Sequence, residues 1–446
     1  MNTPIVNFVK NYVDSNSLRL HMPGHKGSAF LGYEKLDITE IGGADILYSA
    51  DGIIAESQKN ATALFDTRAT FYSTEGSSLC IRAMLYLIKS YARQFGKKPI
   101  IAAGRNAHKT FVTGAALLNL DIDWLLPKNT QTFISCIIDA DFLDGYLQTA
   151  SDKPVAVYIT SPDYLGNITD IKALSEICHK HGVLLLVDNA HGAYMKFLSC
   201  DGHPITIGAD MCCDSAHKTL PVLTGGAYLH IGKNAPDFFA CNSQRALGLF
   251  ASTSPSYLIL QSLDMANKYI DDGYTEKLTD FIAESDKLKE DLKNIGYCLC
   301  GSEPLKITIA SKPYGYTGYE LSDILLSKNI VCEFVDPDYV VMMLTPEIGI
   351  SGLELLKNTL LKISKKSQIT KAPPIPVLKK AKISLRETLF APQITIKAED
   401  CLGRISASAD AACPPAIPIV LPGEVIDQNA IDSFNYYEIK EWSVVK

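Results

Sequence analysis

The chain has 446 residues, of which 47% are hydrophobic and 20% charged, and its formal net charge at pH 7 is −7. This composition is typical of a globular enzyme and argues against a disordered chain, while the length predicts two or three packed units. The negative charge disfavours nucleic acid and anionic membranes as partners. We expect a cytoplasmic protein, because no uninterrupted apolar run is long enough to span a membrane and residues 1–10 lack a secretory signal pattern.

The 12 cysteines are scattered along the chain. Cys212 and Cys213 form one close pair, and Cys298 and Cys300 form another. No second Cys-x-x-Cys set accompanies them to complete a zinc site, and most of the cysteines lie in apolar runs. We therefore expect reduced core residues and no metal site.

Short apolar runs with strand character alternate with helical segments through the middle of the chain. The predicted strands are 99–103, 122–126, 155–160, 183–187, 209–213 and 227–231. Such alternation predicts an α/β protein with a mainly parallel sheet covered by helices on both faces. Ligands bind such sheets at the carboxyl ends of the strands, so the polar residues that follow each strand are the candidates for a site.

The predicted strand 209–213 is followed by a polar segment that contains Ser215, His217 and Lys218. A lysine at a strand end, beside hydroxyl and imidazole donors, suits a Schiff base with an aldehyde cofactor close to a bound phosphate. The plainer alternative is a surface lysine next to a helix cap. Lys26, in the segment 21–27, is the rival for the same role, and we prefer Lys218 because its surroundings offer more partners.

The predicted strand 183–187 ends at Asp188. A carboxylate at the tip of an apolar strand is unfavourable without a cationic or hydrogen-bonding partner. A protonated pyridine nitrogen would be such a partner, and the carboxylate would keep the ring an electron sink. His191 could then reach a ring hydroxyl. A metal-binding Asp/His pair is the alternative, which we rank lower because no third ligand clusters nearby.

A candidate anion site lies at the start of a strongly periodic helix, where Gly76 is followed by Ser77 and Ser78. Free backbone N–H groups, hydroxyls and the positive end of the helix dipole would converge there on a phosphate. The alternative is plain N-capping by Ser77.

The sequence after the large domain predicts a small domain, a linker and a C-terminal extension. Strands and helices in 266–370 predict a second, smaller α/β unit, 371–382 has the Pro and Lys content of a linker, and the prolines at 413–423 predict an extended path. We expect four parts, namely an N-terminal segment 1–45, a large domain 46–265, a small domain 266–370, and a linker with C-terminal extension 371–446.

Several motifs together resemble the Orn/Lys/Arg decarboxylase family. They are LHMPGHKGS (20–28), TEGSS (74–78), RNAHKT (105–110), TSPDYLGN (160–167), DNAHGAY (188–194), SAHKTLP (215–221), TSPSY (253–257), LGRISA (402–407) and CPPAIPIVLPGE (413–424). They follow the family's order and span nearly the whole chain. The resemblance implies a fold type I pyridoxal-phosphate enzyme with a mainly parallel seven-stranded sheet, a small α/β domain and a C-terminal extension.

The resemblance also implies roles for individual residues around pyridoxal 5'-phosphate. Lys218 would form the Schiff base, and Lys218 or His217 would protonate the α-carbon. Asp188 would pair with the pyridine nitrogen, His108 would stack on the ring, and His191 would approach the ring hydroxyl. The phosphate would be held by Ser77, Ser78, Ser215 and His217, with Thr253 or Ser254 added from a neighbouring subunit. Family members work as homodimers or multiples of dimers with the site at the subunit boundary.

The activity implied is α-decarboxylation of arginine, lysine or ornithine. The cationic side chain of such a substrate needs a carboxylate partner, for which Asp45 and Glu424 are candidates, although solvated surface acids are the plainer interpretation of both. Another reaction on the same cofactor, such as transamination or β-elimination, is the nearest alternative. A catalytically silent cofactor-binding protein is the alternative of a different class.

The sequence also departs from the family pattern. The chain starts almost directly at the HMPGHK segment, so we expect no receiver-like N-terminal domain of the kind that larger bacterial members carry. Asn189 stands where many relatives have Glu, and Tyr194 stands where a second histidine is frequent. These changes keep the set of cofactor residues but leave the substrate open.

Overall fold

A computed structural model describes residues 1–379, 381–409 and 417–446. The first four residues of the CPPAIPIVLPGE motif, 413–416, and residue 380 of the predicted linker lie outside this part of the chain. The protein has an α/β fold whose main sheet is seven-stranded and mainly parallel, as the sequence predicted. Two compact units divide the chain, unit 1 (Met1–Lys98 and Ile171–Leu278) and unit 2 (Pro99–Asp170 and Thr279–Lys446).

The strands are β1 (Ala69–Ser73), β2 (Ile100–Gly104), β3 (Asp121–Leu125), β4 (Ala156–Thr160), β5 (Leu184–Asp188), β6 (Met211–Asp214), β7 (Ala227–Ile231), β8 (Cys298–Cys300), β9 (Lys306–Ala310), β10 (Phe334–Val335), β11 (Tyr339–Met343), β12 (Gln393–Lys397) and β13 (Glu441–Val445).

The α-helices are α1 (Pro4–Asp14), α2 (Ile53–Phe65), α3 (Gly76–Gln94), α4 (Lys109–Leu118), α5 (Ala140–Thr149), α6 (Ile171–Lys180), α7 (Ala216–Thr219), α8 (Asp237–Gly248), α9 (Tyr257–Asp271), α10 (Tyr274–Asn294), α11 (Gly318–Leu326), α12 (Gly349–Leu360), α13 (Leu385–Phe390) and α14 (Gln428–Tyr436). Short 3-10 helices occupy Leu47–Ser49, Ala193–Phe197, Lys312–Tyr314, Pro346–Ile348 and Ala398–Cys401.

Unit 1 contains four strands of the main sheet in the order β1-β7-β6-β5. β5 and β6 are parallel, and their register places Asp188 opposite Cys213, so both strands end at the same edge. β7 runs antiparallel to β6 and to β1. The sequence did not predict β1, whose five residues are followed directly by the loop that opens α3.

The helices of unit 1 are tied together by a buried carboxylate. Asp264 of α9 accepts hydrogen bonds from the backbone N–H groups of Ile5 and Val6 in α1, both at 3.0 Å. It also accepts one from Ser57 Oγ of α2 at 2.6 Å. These bonds satisfy the first N–H groups of α1, which have no partner within the helix.

Unit 2 contains the parallel strands β4, β2 and β3, in that spatial order, and an antiparallel sheet in the order β10-β11-β9-β8. β12 and β13 form a separate antiparallel pair. Trp442 of β13 stacks on Phe434 of α14 with ring centroids 4.6 Å apart. The helices and strands of this C-terminal part were not predicted, because the sequence interpretation rested on its prolines alone.

Candidate active site

Lys218 lies in α7, directly after β6, and its amine faces the loop that follows β5. The Lys218 Nζ is 2.9 Å from His191 Nε2. His191 is buried, whereas Lys218 is half-buried. The backbone N–H of Lys218 donates to the Ser215 carbonyl at 3.0 Å, which fixes the short turn that carries the amine. The two strand ends therefore bring together the lysine and the histidine that the sequence singled out separately.

Asp188 is the last residue of β5 and is 3% exposed. Its Oδ1 accepts a hydrogen bond from the Ala190 N–H at 3.3 Å, and the Cys213 Sγ lies 3.7 Å away. Burial, followed by the charge of Asp188, raises the pKa of the Cys213 thiol, so this cysteine stays neutral beside the carboxylate. The carboxylate thus lies at the same strand edge as Lys218, as expected from the sequence.

Two hydroxyls meet at the start of α3. Ser215 Oγ donates to Ser77 Oγ at 2.8 Å, and Ser78 is the next residue of the first helical turn. Gly76 has φ +70°, and a Cβ there would meet no atom within 4 Å. The space beside Gly76 is therefore open, and the N–H groups and hydroxyls at this helix start are donors of the kind that fit a phosphate group.

The loop before β7 packs against the start of α3. The Gly76 N–H donates to the Gly225 carbonyl at 2.7 Å. A Cβ at Gly225 would lie 2.9 Å from the carbonyl oxygen of Thr74, so a glycine is required at this close approach. His217 Nδ1 lies 3.0 Å from the Gly226 carbonyl, which orients the imidazole.

Thr253 is exposed, in the segment that precedes α9. The neighbouring Ser252 N–H donates to the Glu75 carboxylate at 2.7 Å, so this segment reaches the start of α3. Ser254 N–H donates to Ser252 Oγ at 3.1 Å. A phosphate contact from Thr253 or Ser254 of another subunit stays a prediction.

Lys26, the rival lysine, is exposed and donates from its Nζ to the carbonyl of His21 in its own loop. His108 belongs to unit 2, where it caps α4. Its Nδ1 accepts the Thr110 N–H at 3.1 Å, and its ring is half-buried. Its stacking on a cofactor ring stays a prediction.

Asp45 has a structural role that its sequence context did not reveal. Its carboxylate accepts backbone N–H bonds from Gly52 at 2.8 Å, Ile54 at 3.0 Å and Ala55 at 3.2 Å at the start of α2. Its other oxygen accepts from Ile46 and Asp51. Because both oxygens already accept backbone N–H bonds, and one of them caps the start of α2, we do not retain Asp45 as the substrate-recognising acid.

Glu424 in unit 2 is 2% exposed and lies against Arg105 instead of solvent. Its Oε2 accepts the Leu421 N–H at 2.8 Å and lies 3.9 Å from Arg105 Nη2. Arg105 donates in turn to the carbonyls of Pro418 and Ile419. Burial raises the pKa of Glu424 and the Arg105 charge opposes this shift. We therefore assign Glu424 to an internal ion pair and do not retain it for substrate recognition.

The sequence interpretation missed a buried polar cluster beside the site. Asp214, the last residue of β6, bonds to His203, His230 and Asn189, and all four side chains are fully buried. The ligand atoms of His203, Asp214 and His230 lie within 4.8 Å of one another, a set that could hold a metal ion. An aspartate that ends an apolar strand was the available signal, because the same pattern had identified Asp188.

The edge of the sheet therefore offers a lysine amine, a buried carboxylate and a pair of hydroxyls at a helix start. These groups match the aldehyde, the ring nitrogen and the phosphate of pyridoxal phosphate, so the residues present fit that cofactor. The fold and this set of donors define the class of protein: a pyridoxal-phosphate enzyme of fold type I.

Comparison with known proteins defines the family. Residues 3–307, more than half of the chain, match the sequence model of the Orn/Lys/Arg decarboxylase major domain, so the chain belongs to the Orn/Lys/Arg decarboxylase family. It is 29% identical over 469 residues to an arginine decarboxylase of Halalkalibacterium halodurans, covering 96% of this chain and 91% of that protein. It is 28% identical over 470 residues to the uncharacterized protein YaaO of Bacillus subtilis, covering 98% and 94%.

The structure of lysine decarboxylase A from Pseudomonas aeruginosa superposes with a TM-score of 0.82, covering 99% of this chain and 80% of that chain. The sequence identity of 14% means that this likeness shows the shared fold. The family, the fold and the cofactor predicted from the motifs are confirmed, and the chain is a pyridoxal-phosphate-dependent decarboxylase. Within the part of the chain that the structure describes, no helix has the length and apolar character to cross a membrane.

Proposed function

We propose that the protein removes the α-carboxyl group of a basic amino acid and that arginine is its first candidate substrate. The arginine decarboxylases among its relatives, which cover nearly the full chain, support arginine over lysine or ornithine. The observation that carries the proposal is the meeting of Lys218 and His191 at 2.9 Å on the sheet edge where Asp188 ends β5.

Pyridoxal phosphate, when bound, supplies the electron sink for the pair left behind as CO₂ departs. Asp188 would pair with the ring nitrogen and keep it protonated, because a buried carboxylate favours a cationic partner. His191 Nε2 exchanges a proton with Lys218 Nζ, since the two nitrogens lie at hydrogen-bond distance. Lys218 or His217 returns the proton to the substrate's α-carbon.

The phosphate anchor in this proposal consists of Ser77, Ser78 and Ser215, helped by His217. The hydroxyls at the start of α3 lie where the helix dipole favours negative charge. His108 would stack on the ring, and Thr253 would add a contact from a second subunit. Asp45 and Glu424 are not part of the proposed site, because their carboxylates already have partners inside the protein.

We also propose a homodimer. The segment 18–36 exposes several large apolar side chains, among them Leu18, Leu20, Phe30 and Leu31. A cluster of this kind is unusual on a surface that stays in water. The cysteines that the structure describes are free thiols, which supports a reducing compartment, and we propose the cytoplasm.

The test is a panel of arginine, lysine and ornithine, each labelled with ¹⁴C in the carboxyl group, incubated with the holoenzyme. We expect release of labelled CO₂ and the matching amine, fastest with arginine, and no release by Lys218→Ala. Keto acid without CO₂ would replace the proposal by transamination. Bound cofactor without turnover of any substrate would make the protein a silent binder.

A further inference from the structure

The carboxylate of Asp214 bonds to His203, His230 and Asn189 and has no contact with solvent. The Cys212 Sγ lies 3.9 Å from its Oδ1. Its Oδ2 accepts hydrogen bonds from His203 Nε2 at 2.9 Å and from His230 Nε2 at 3.1 Å. Its Oδ1 accepts a bond from Asn189 Nδ2 at 2.7 Å. A fully buried carboxylate is stable only when it is paired in this way, so these bonds are a strong constraint on the local structure.

The surroundings keep the carboxylate ionised. Burial alone would raise the pKa of Asp214, but the two histidines outweigh burial and hold that pKa well below its usual range. Burial lowers the pKa of His230. His230 Nδ1 also lies 2.8 Å from Thr70 Oγ1 of β1, which fixes the orientation of the ring. His230 of β7 therefore links Asp214, at the end of β6, to Thr70 of β1.

Asn189 connects Asp214 to the loop that follows β5, which contains His191 of the proposed site. It directly follows Asp188, and its backbone N–H donates to the Cys213 carbonyl at 3.0 Å. Its carbonyl accepts the Gly192 N–H at 2.8 Å, which closes the turn that contains His191. A Cβ at Gly192 would lie 2.1 Å from Asn189 Oδ1, so the glycine leaves room for the amide.

Asp214 is also connected to Lys218 along the chain. Ser215 follows it directly, and Lys218 lies one turn further along the chain. One carboxylate thus holds the loop with Asp188 and His191 and is covalently continuous with the loop that contains Ser215 and Lys218. The distance between these two loops sets the contact of Lys218 with His191.

We propose that Asp214 is a positioning residue that acts through Asn189 to hold these two loops in the geometry that binds the cofactor. The inference rests on the proposed site, because it assigns that site's alignment to groups that touch neither cofactor nor substrate. A merely structural Asp214 would stabilise the fold without changing how Lys218 and its neighbours bind pyridoxal phosphate.

The test compares Asp214→Asn, Asn189→Ala and the double variant with Asp264→Asn as matched control. Asp264 is also a fully buried carboxylate with three hydrogen-bond donors, but its bonds join α1, α2 and α9. Each protein is stripped of cofactor and titrated with pyridoxal phosphate to obtain the Kd. The pH midpoint of the cofactor's long-wavelength absorbance and the thermal unfolding of the cofactor-free protein are recorded in parallel.

We expect Asp214→Asn and Asn189→Ala each to raise the cofactor Kd about tenfold, the size of one lost hydrogen bond to a charged group. The double variant should raise the Kd no more than Asp214→Asn alone, because both changes break the same connection. The absorbance midpoint should shift in both single variants. Asp264→Asn should lower the unfolding temperature and leave the Kd and the midpoint unchanged. If Asp214→Asn does not fold, Asn189→Ala alone decides, since it leaves both histidine bonds to Asp214 in place.

Additive effects on Kd, or variants that bind the cofactor as the wild type does, would overturn the inference and leave the proposed function standing. One equivalent of a transition metal in the purified wild type, lost in Asp214→Asn, would make the cluster a metal site and also overturn it. A wild-type protein that binds no cofactor would instead defeat the proposed function itself.

Discussion

At the scale of single residues, the contact between Lys218 and His191 joins loops that follow two different strands. Their nitrogens lie 2.9 Å apart although the residues are 27 positions apart in the chain. The imidazole can accept a proton from the ammonium and so supply the neutral amine that nucleophilic chemistry requires. This exchange needs no further movement of either loop.

The hydroxyl pair at the start of α3 gives a prediction for cofactor binding. Removing both hydroxyls in Ser77→Ala/Ser215→Ala should raise the cofactor Kd about tenfold to a hundredfold, because hydrogen bonds to a charged phosphate are lost. The Kd is measured by absorbance titration of the cofactor-free protein. Ser243→Ala, which removes a buried hydroxyl bonded within α8, is the control and should leave the Kd unchanged. An unchanged Kd in the double variant would place the phosphate elsewhere.

The sequence was enough to place Lys218 and Asp188 at strand ends, because the apolar pattern of each strand is local. It was not enough for Asp45 and Glu424. Their partners are backbone N–H groups and Arg105, and only the fold brings these partners to the carboxylates. The Asp214 cluster was missed for the same reason, since His203 and His230 are isolated in the sequence.

At the scale of elements, Asp45 caps α2, and substitution of this residue can distinguish a structural role from a role in substrate binding. Asp45→Ala should lower the free energy of unfolding by about 2–3 kcal/mol, because several N–H groups at the helix start lose their acceptor. Asp45→Asn should recover part of this loss, as it keeps one oxygen. Chemical denaturation gives the free energy, and the substrate KM of the folded variant should stay within about twofold of the wild type. A large rise in KM without lost stability would restore the substrate role.

The turn between β10 and β11 gives a prediction for pH. Asp336 accepts N–H bonds from Asp338 and Tyr339, both at 2.7 Å, and burial raises its pKa to about 6. The folded state therefore binds this proton more tightly than the unfolded state, and the stability it adds is lost as the pH rises through about 6. Over pH 5 to 7 the loss should be about 1 kcal/mol.

Asp336→Asn keeps the accepting oxygen but cannot ionise. The unfolding temperature of this variant relative to the wild type should therefore rise by about one degree between pH 5 and pH 7, given the usual entropy of unfolding. Asp323→Asn, an exposed acid on α11, is the control and should show no such trend. A difference that stays constant with pH would show that Asp336 is ionised throughout.

The parallel strands β2, β4, β5 and β6 were predicted well, because they are mostly buried and form continuous apolar runs. β1 was missed, since its Thr, Tyr and Ser residues have no such pattern and its pairing with β7 spans more than 150 residues. The pair β12 and β13 was missed because its alternating side chains lie on a small, partly exposed sheet.

At the scale of the whole molecule, the exposed apolar segment 18–36 gives a prediction for assembly. Phe30 is 78% exposed and Leu31 is 85% exposed. Phe30→Ser/Leu31→Ser should shift the protein from dimer to monomer at micromolar concentration, because the apolar area that drives association is removed. Sedimentation velocity measures the shift.

The matched control is Leu326→Ser, an exposed apolar residue of α11 that is 57% exposed. This variant should remain dimeric. If the sedimentation coefficients of the Phe30/Leu31 variant and the wild type are equal, the segment does not form the interface.

The central claim is that the amine at position 218 holds the cofactor. Borohydride reduction of the holoenzyme makes the lysine–cofactor link permanent, and mass spectrometry of the proteolytic peptides identifies the lysine. We expect the added mass on the peptide that contains Lys218 and its absence from Lys218→Ala treated in the same way. Added mass on the peptide of Lys26, or of any other lysine, would contradict the account.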